Sequence, residues 1–281
     1  MNIALIGPGA IGSTLAFQLS RAGHDVTVVA RGQRLAQLTK DGAIVRTDGA
    51  RATVTVHTGL DTTVAYDLVL VTVLATQVDA VLPALKASAA KKVMFLFNTF
   101  EPLAPLRDAV GAHRFAFGFP GGIFCLLVDG RIRPTIRAGT TMDDAATAKC
   151  FEAAGIPTAL EPDMHSWLRS HAAMVVPLMS IGVLAHTQKR GASWREARAH
   201  ALAYRTGFEL VRAVGNAWLP KALGTLSRLP LVMLTFLLWA LSRSTMLREL
   251  GALGATEPRM LIDMMKATKP ELAAPLVAIR P

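Results

Sequence analysis

Over the first 160 or so residues, short continuous apolar runs alternate with stretches whose apolar positions recur three and four apart. The runs at residues 2–6, 25–30, 43–46, 52–57, 68–73, 93–97 and 115–117 predict β-strands. The stretches at 11–22, 34–40, 77–87 and 102–110 predict helices between several of them. Strand–helix alternation with short connections implies an α/β fold built on a mainly parallel, doubly wound sheet. GGIFCLLVDG (121–130) and RIRPTIRAG (131–139) add further short strand candidates, then residues 143–154 predict a helix and 157–161 a last strand. Beyond Pro162 the strand pattern stops, leaving long helical patterns punctuated by Gly191, Pro220, Pro230, Gly254 and Pro258. A boundary near residue 163 is therefore expected, with an α/β domain over 1–163 and an all-helical domain over 164–281.

One segment is apolar almost throughout: LPLVMLTFLLWAL, residues 229–241. It is shorter than the roughly 20 residues that cross a bilayer, and it carries Pro230 and Thr235. A helix buried in a core or a subunit interface is the expectation, with no membrane partner. Composition agrees with a globular chain, since 52% of the 281 residues are hydrophobic and 18% charged. The formal net charge of +10 admits nucleic acid, a membrane surface or small anions as partners. The arginines are scattered and not run together, which argues against nucleic acid. Two cysteines are too few for a disulfide framework, and the apolar start lacks a basic leader, so a reducing cytoplasmic setting is expected.

Chemistry enters with the turn after the first strand. Gly7, Gly9 and Gly12, with Pro8, Ala10 and Ile11 between them, form G-x-G-x-x-G between a predicted strand and a predicted helix. The first glycine permits the tight turn, the second lets backbone approach a pyrophosphate, and the third lets helix and strand pack closely. The end of the second strand reads VVARGQR, with Arg31 and Arg34 where an NAD site usually places an acid. A guanidinium can clamp a 2′-phosphate by paired hydrogen bonds, so the expected cofactor is NADP(H).

Taken together, GPGAIG, RAGHDVTVVARG (21–32), DLVLVTVLATQ (67–77) and LFNT (96–99) resemble the ketopantoate reductase family, the 2-dehydropantoate 2-reductases. SWLRSHAA (166–173), STMLRE (244–249) and TEP (256–258) resemble its helical half more loosely. The resemblance implies a Rossmann domain with a helical substrate and dimerisation domain, and an active site in the cleft between them. It implies NADPH-dependent reduction of a small anionic 2-oxo acid, in pantothenate biosynthesis for the family at large, by a homodimer. It puts Arg31 on the 2′-phosphate, Asn98 between nicotinamide and substrate, and Ser244, Thr245 and Glu257 toward substrate.

Departures from the family pattern are equally visible. Arg169 stands where the family has its proton-donating lysine; a guanidinium is a poor general acid, so Arg169 is expected to bind the substrate's carboxylate or carbonyl instead. Ala173 replaces an asparagine one turn on, Leu74 a lysine and Thr99 a glycine. An NADP(H)-binding protein without turnover, a sensor or scaffold, is the competing reading. Blander roles also compete at single residues: an Asx-turn at Asn98, an N-cap at Ser244, a helix cap at Glu257. His171, two residues past Arg169, would point about 200° away from it on a helix, which favours a packing or surface role. His165 and His186 lack partners at ligand spacing, so no metal is expected. No G-x-S-x-G elbow suggests a hydrolase.

Overall fold

The computed structural model describes every residue except Ala138. Its strands are β1 (Asn2–Ile6), β2 (Asp25–Val29), β3 (Ala43–Val45), β4 (Arg51–Thr53), β5 (Thr55–His57) and β6 (Leu68–Val71). They continue with β7 (Val93–Leu96), β8 (Phe115–Phe119), β9 (Ile123–Val128), β10 (Arg131–Ile136), β11 (Thr140–Met142) and β12 (Thr158–Leu160). The helices are α1 (Ala10–Arg21), α2 (Gly32–Asp41), α3 (Leu82–Ala87), α4 (Ala104–Val110), α5 (Ala145–Ala153) and α6 (Met164–Gln188). The rest are α7 (Trp194–Ala213), α8 (Lys221–Leu226), α9 (Leu231–Leu241), α10 (Thr245–Gly251), α11 (Thr256–Thr268) and α12 (Ala274–Val277). Two compact units result: Met1–Phe97 with Leu103–Met164, and Asn98–Pro102 with His165–Pro281.

In the first unit an eight-stranded sheet runs β12-β11-β8-β7-β6-β1-β2-β5. All neighbours are parallel except β8 and β11. The central strands β6 and β7 are buried along their whole length, as continuous apolar runs covered on both faces should be. Leu15 and Leu19 of α1 join Ile3, Leu5, Val28 and Leu70 in one fully buried core. The sheet order steps outward in both directions from β1, which places the turn after β1 at a switch point.

Several local expectations are corrected. The run 52–57 is two strands: β4 pairs antiparallel with β3 in a separate hairpin, while β5 joins β2. Alternating apolarity cannot reveal that the chain changes sheets at Val54. The helix at 77–87 is a 3-10 turn, Ala75–Ala80, followed by α3. Pro83 has no amide to continue an α-helix and instead occupies the first turn of the shorter one. Residues 123–136 make an antiparallel ribbon apart from the main sheet, turned by Asp129 (φ 47°) and Gly130 (φ 75°). In the predicted run 131–139, Ala138 lies outside the described residues.

The second unit contains no strand among the described residues. α6 has the length and apolarity to cross a membrane, but 67% of its apolar window is buried inside the protein. α7 starts at a reciprocal cap: Ser193 Oγ accepts from the Glu196 amide, and Glu196 accepts from the Ser193 amide. α9 packs on α7 through Leu234, Thr235 and Leu238. Its other face leaves Val232 at 68%, Met233 at 55% and Phe236 at 58% exposed. Burial in a core thus accounts for only one side of the apolar stretch 229–241.

Candidate functional site

Two constellations emerge, one in each unit. In the first, β1 ends at Ile6 and Gly7 turns the chain at φ +91°, a value that L side chains rarely adopt. Thr72 Oγ1, just past β6, donates to the Gly7 carbonyl at 2.8 Å and pins the turn. Gly9 precedes α1 with no side-chain cap, so the amides of Ala10, Ile11 and Gly12 in the first turn stay open. A side chain at Gly9 would meet nothing within 4 Å, whereas one at Gly12 would press into the Gly7 carbonyl and Thr72 Oγ1. The glycines therefore do the separate jobs the motif requires: exposed backbone at Gly9, close packing at Gly12.

These residues line a cavity of about 730 Å³ that also takes in Arg31, Arg34, Thr58 and Leu74. Its described lining holds two arginines and no carboxylate. The arginines differ in employment. Arg34 Nε donates to the Pro8 carbonyl at 2.9 Å, Nη2 to Ser13 Oγ at 2.7 Å, and Nη1 to the Gly130 carbonyl at 2.7 Å. It braces the glycine loop against the β9–β10 turn, a role the spacing of the sequence does not show. Arg31, at the N-cap of α2, is exposed and makes no side-chain hydrogen bond or ion pair among the described residues. Open amides at a helix N-terminus over a glycine surface suit a pyrophosphate, so the site fits a dinucleotide. Gly12→Ala is expected to abolish dinucleotide binding and lower the melting temperature, because one crowding atom is backbone and the other, Thr72 Oγ1, is tied to that same carbonyl by a hydrogen bond. Calorimetric titration and thermal melting check it.

In the second unit, Asn98 follows two residues after β7 and is 4% exposed. Its Nδ2 donates to Glu257 Oε1 at 3.0 Å, bringing together residues 159 positions apart. Asn98 Oδ1 is buried without a hydrogen-bond partner. Glu257 stands in the first turn of α11 and forms no ion pair among the described residues. Burial pushes its carboxyl above the usual range, and only the Asn98 hydrogen bond opposes this.

Arg169, expected at the substrate, is engaged by groups of the chain itself. It is 5% exposed, its Nε donates to the Phe100 carbonyl at 2.9 Å, and its Nη1 donates to Asn216 Oδ1 at 2.6 Å. The guanidinium also lies over the Phe100 ring, 5.1 Å from its centroid. Asn216 in turn donates to Ser166 Oγ. Arg169 therefore holds the segment that carries Asn98. Ser244 is an N-cap: its Oγ accepts from the Leu247 amide at 3.2 Å and donates to the Leu241 carbonyl at 2.7 Å. Its one hydroxyl proton is spent on the chain. Thr245 is exposed at the start of α10. His171 stacks on Trp167, centroids 5.0 Å apart, and burial lowers its pKa to about 4, so it is neutral at pH 7. Ala173 is fully buried where α6 meets Gly207 of α7, a crossing without room for an asparagine. No signal in the sequence links Arg169 to Phe100 or Asn216, since those contacts span 69 and 47 residues.

The fold and the glycine-loop pocket define a Rossmann-type dinucleotide-binding protein. Residues 3–142 match the family model described as ketopantoate reductase PanE/ApbA. Through that half the chain belongs to the ketopantoate reductase family, and it is an oxidoreductase of that type. A ketopantoate reductase from Ralstonia eutropha JMP134 has the same fold, at TM-score 0.71 and 20% identity over 100% of this chain and 98% of that one. A D-mandelate dehydrogenase solved with NADH gives 0.70 and 12%, covering 100% and 97%. A dimeric ketopantoate reductase from Staphylococcus aureus gives 0.66 and 14%, covering 100% and 98%. No curated protein matches the sequence.

Proposed function

We propose that this protein is an NADPH-dependent reductase of a small anionic 2-oxo acid. The observation that carries the reading is the Asn98–Glu257 pair. A buried amide with an empty acceptor, facing a carboxyl with no cation, is costly for stability and suited to a polar ligand. The open amides of α1 would hold the pyrophosphate, and Arg31 would pair with a 2′-phosphate in a pocket whose described lining has no carboxylate to repel it. When bound, the reduced nicotinamide supplies a hydride. Asn98 would orient the substrate carbonyl, and Glu257 and the exposed Thr245 would complete the polar contacts. Arg169 holds the Asn98 segment in place without touching substrate. The competing reading, a protein that holds NADP(H) without turnover, is favoured by the absence of a lysine at position 169.

Loss of NADPH absorbance on adding a panel of 2-oxo acids tests the proposal, with at least one acid expected to be consumed catalytically. Tight NADPH binding with no oxidation by any member would favour the non-catalytic reading.

We also propose that the protein is a cytoplasmic homodimer, joined through the exposed face of α9. Val232, Met233 and Phe236 form an apolar surface of the kind that marks interfaces, and the Staphylococcus aureus structure is of a dimeric enzyme. Sedimentation should show a dimer that Phe236→Glu converts to monomer at micromolar concentration. A monomeric wild-type protein would count against it.

A further inference from the structure

The reduction proposed above needs a proton for the carbonyl oxygen, and the family's lysine is missing. The other groups near that position are unsuited. Arg169 stays charged and is tied to Phe100 and Asn216. His171 is neutral at pH 7. Ser244 is spent on its helix end. Thr99 Oγ1 accepts from the Glu101 amide and lies 3.8 Å from the Met264 sulfur.

The Asn98–Glu257 contact has an unfinished geometry. An amide and a carboxylic acid can close a ring of two hydrogen bonds, N–H to C=O and O–H to C=O. One half exists here, Asn98 Nδ2 to Glu257 Oε1, while Asn98 Oδ1 has nothing to accept. An ionised carboxylate has no proton to donate and cannot fill that vacancy. A protonated one can complete it. The charged groups around the pair do not change this. On α11, Arg259 donates to the Pro281 carbonyl and Asp263 pairs with Arg280, while Lys266 is exposed. After α11, Lys269 pairs with Glu271, and in the Asn98 segment Glu101 is exposed.

We propose that Glu257, buried against Asn98 with the Asn98 Oδ1 acceptor open beside it, is the general acid of this enzyme and replaces the missing lysine. The inference rests on the reductase reading. As the carbonyl carbon gains the hydride from the reduced nicotinamide cofactor, a C–H bond forms and the C=O π pair moves onto oxygen. That oxygen takes the Glu257 proton, giving a hydroxy acid, the oxidised cofactor and a Glu257 carboxylate, which regains its proton from water. Burial raises the carboxyl pKa, so the active protonated form is kept above the ordinary carboxylate range and is lost as pH rises through the raised value.

The test combines rate and spectrum. Single-turnover hydride transfer in the wild-type protein should fall at the alkaline side of a carboxyl titration. Glu257→Gln should lower the rate about 10²–10⁴-fold, the usual contribution of general acid catalysis, and erase that limb. Glu257→Asp should recover part of the rate, and thermal melting shows whether each variant is folded. Infrared difference spectra of the cofactor-free protein should show a protonated carboxyl that titrates above the ordinary range and disappears in Glu257→Gln. A Gln variant as fast as wild type, or a Glu257 carboxyl titrating in the ordinary range, would overturn the assignment and leave the reductase reading intact. Absence of turnover in the wild-type protein removes that reading and the assignment together.

Discussion

Arg31→Glu should weaken NADPH binding by roughly 10²-fold and bring NADH to parity or better. Two charge-assisted hydrogen bonds to a phosphate are worth about 1.5–3 kcal/mol each before solvent screening. Arg31 is exposed, so the lower end applies, and about 2.7 kcal/mol corresponds to that factor. The glutamate adds repulsion toward a 2′-phosphate and a partner for a ribose hydroxyl. Arg34→Ala should behave differently, weakening both cofactors alike, because that side chain braces the loop that holds the shared pyrophosphate. Calorimetric titration with both nucleotides distinguishes the two. Equal wild-type affinities for NADPH and NADH would remove Arg31 from phosphate recognition.

Arg169→Met should lower the melting temperature by roughly 5–15 °C. The change leaves the Phe100 carbonyl and Asn216 Oδ1 without their donor, at about 1–3 kcal/mol for each stranded buried group. In a protein of this size each kcal/mol moves the midpoint by about 2–4 °C. Arg169→Lys keeps the charge but cannot reach both partners with one ammonium, so it should cost less stability and bring no gain in turnover. Activity should fall in both variants through kcat, since the Asn98 segment loosens. An unchanged melting temperature with a raised KM would mean that Arg169 binds substrate after all.

How the site was distributed along the chain decided what could be read from it. The glycine loop was legible because its whole mechanism lies within one turn and the strand and helix that flank it. The placement of Arg31 at the pocket was legible for the same reason, two residues past β2, while its part in phosphate recognition is a proposal. Asn98 and Glu257 were each singled out by resemblance, but their hydrogen bond joins positions 159 apart, and no spacing rule reports such a contact. Position 169 was singled out by resemblance too, yet its contacts are to a carbonyl and an amide far away in sequence. Ser244 shows the opposite confusion, since a hydroxyl before a helix serves as well for a cap as for a ligand. In the fold, the mainly parallel sheet and the helical second half followed from periodicity, but the order of the strands did not. The switch of sheets at Val54 and the one-sided burial of α9 did not, because both depend on which neighbour each face meets.

Hydride transfer from NADPH to the carbonyl carbon of an oxo acid is the step on which the proposed activity stands. It is tested most directly with NADPH deuterated at nicotinamide C4 on the transferred face, incubated with purified protein and a panel of 2-oxo acids. The expected product is a 2-hydroxy acid carrying one deuterium at the former carbonyl carbon. The solvent-derived hydrogen should appear only on its hydroxyl. Tight NADPH binding with no deuterated product from any acid would rule out the reductase and leave a nucleotide-binding protein.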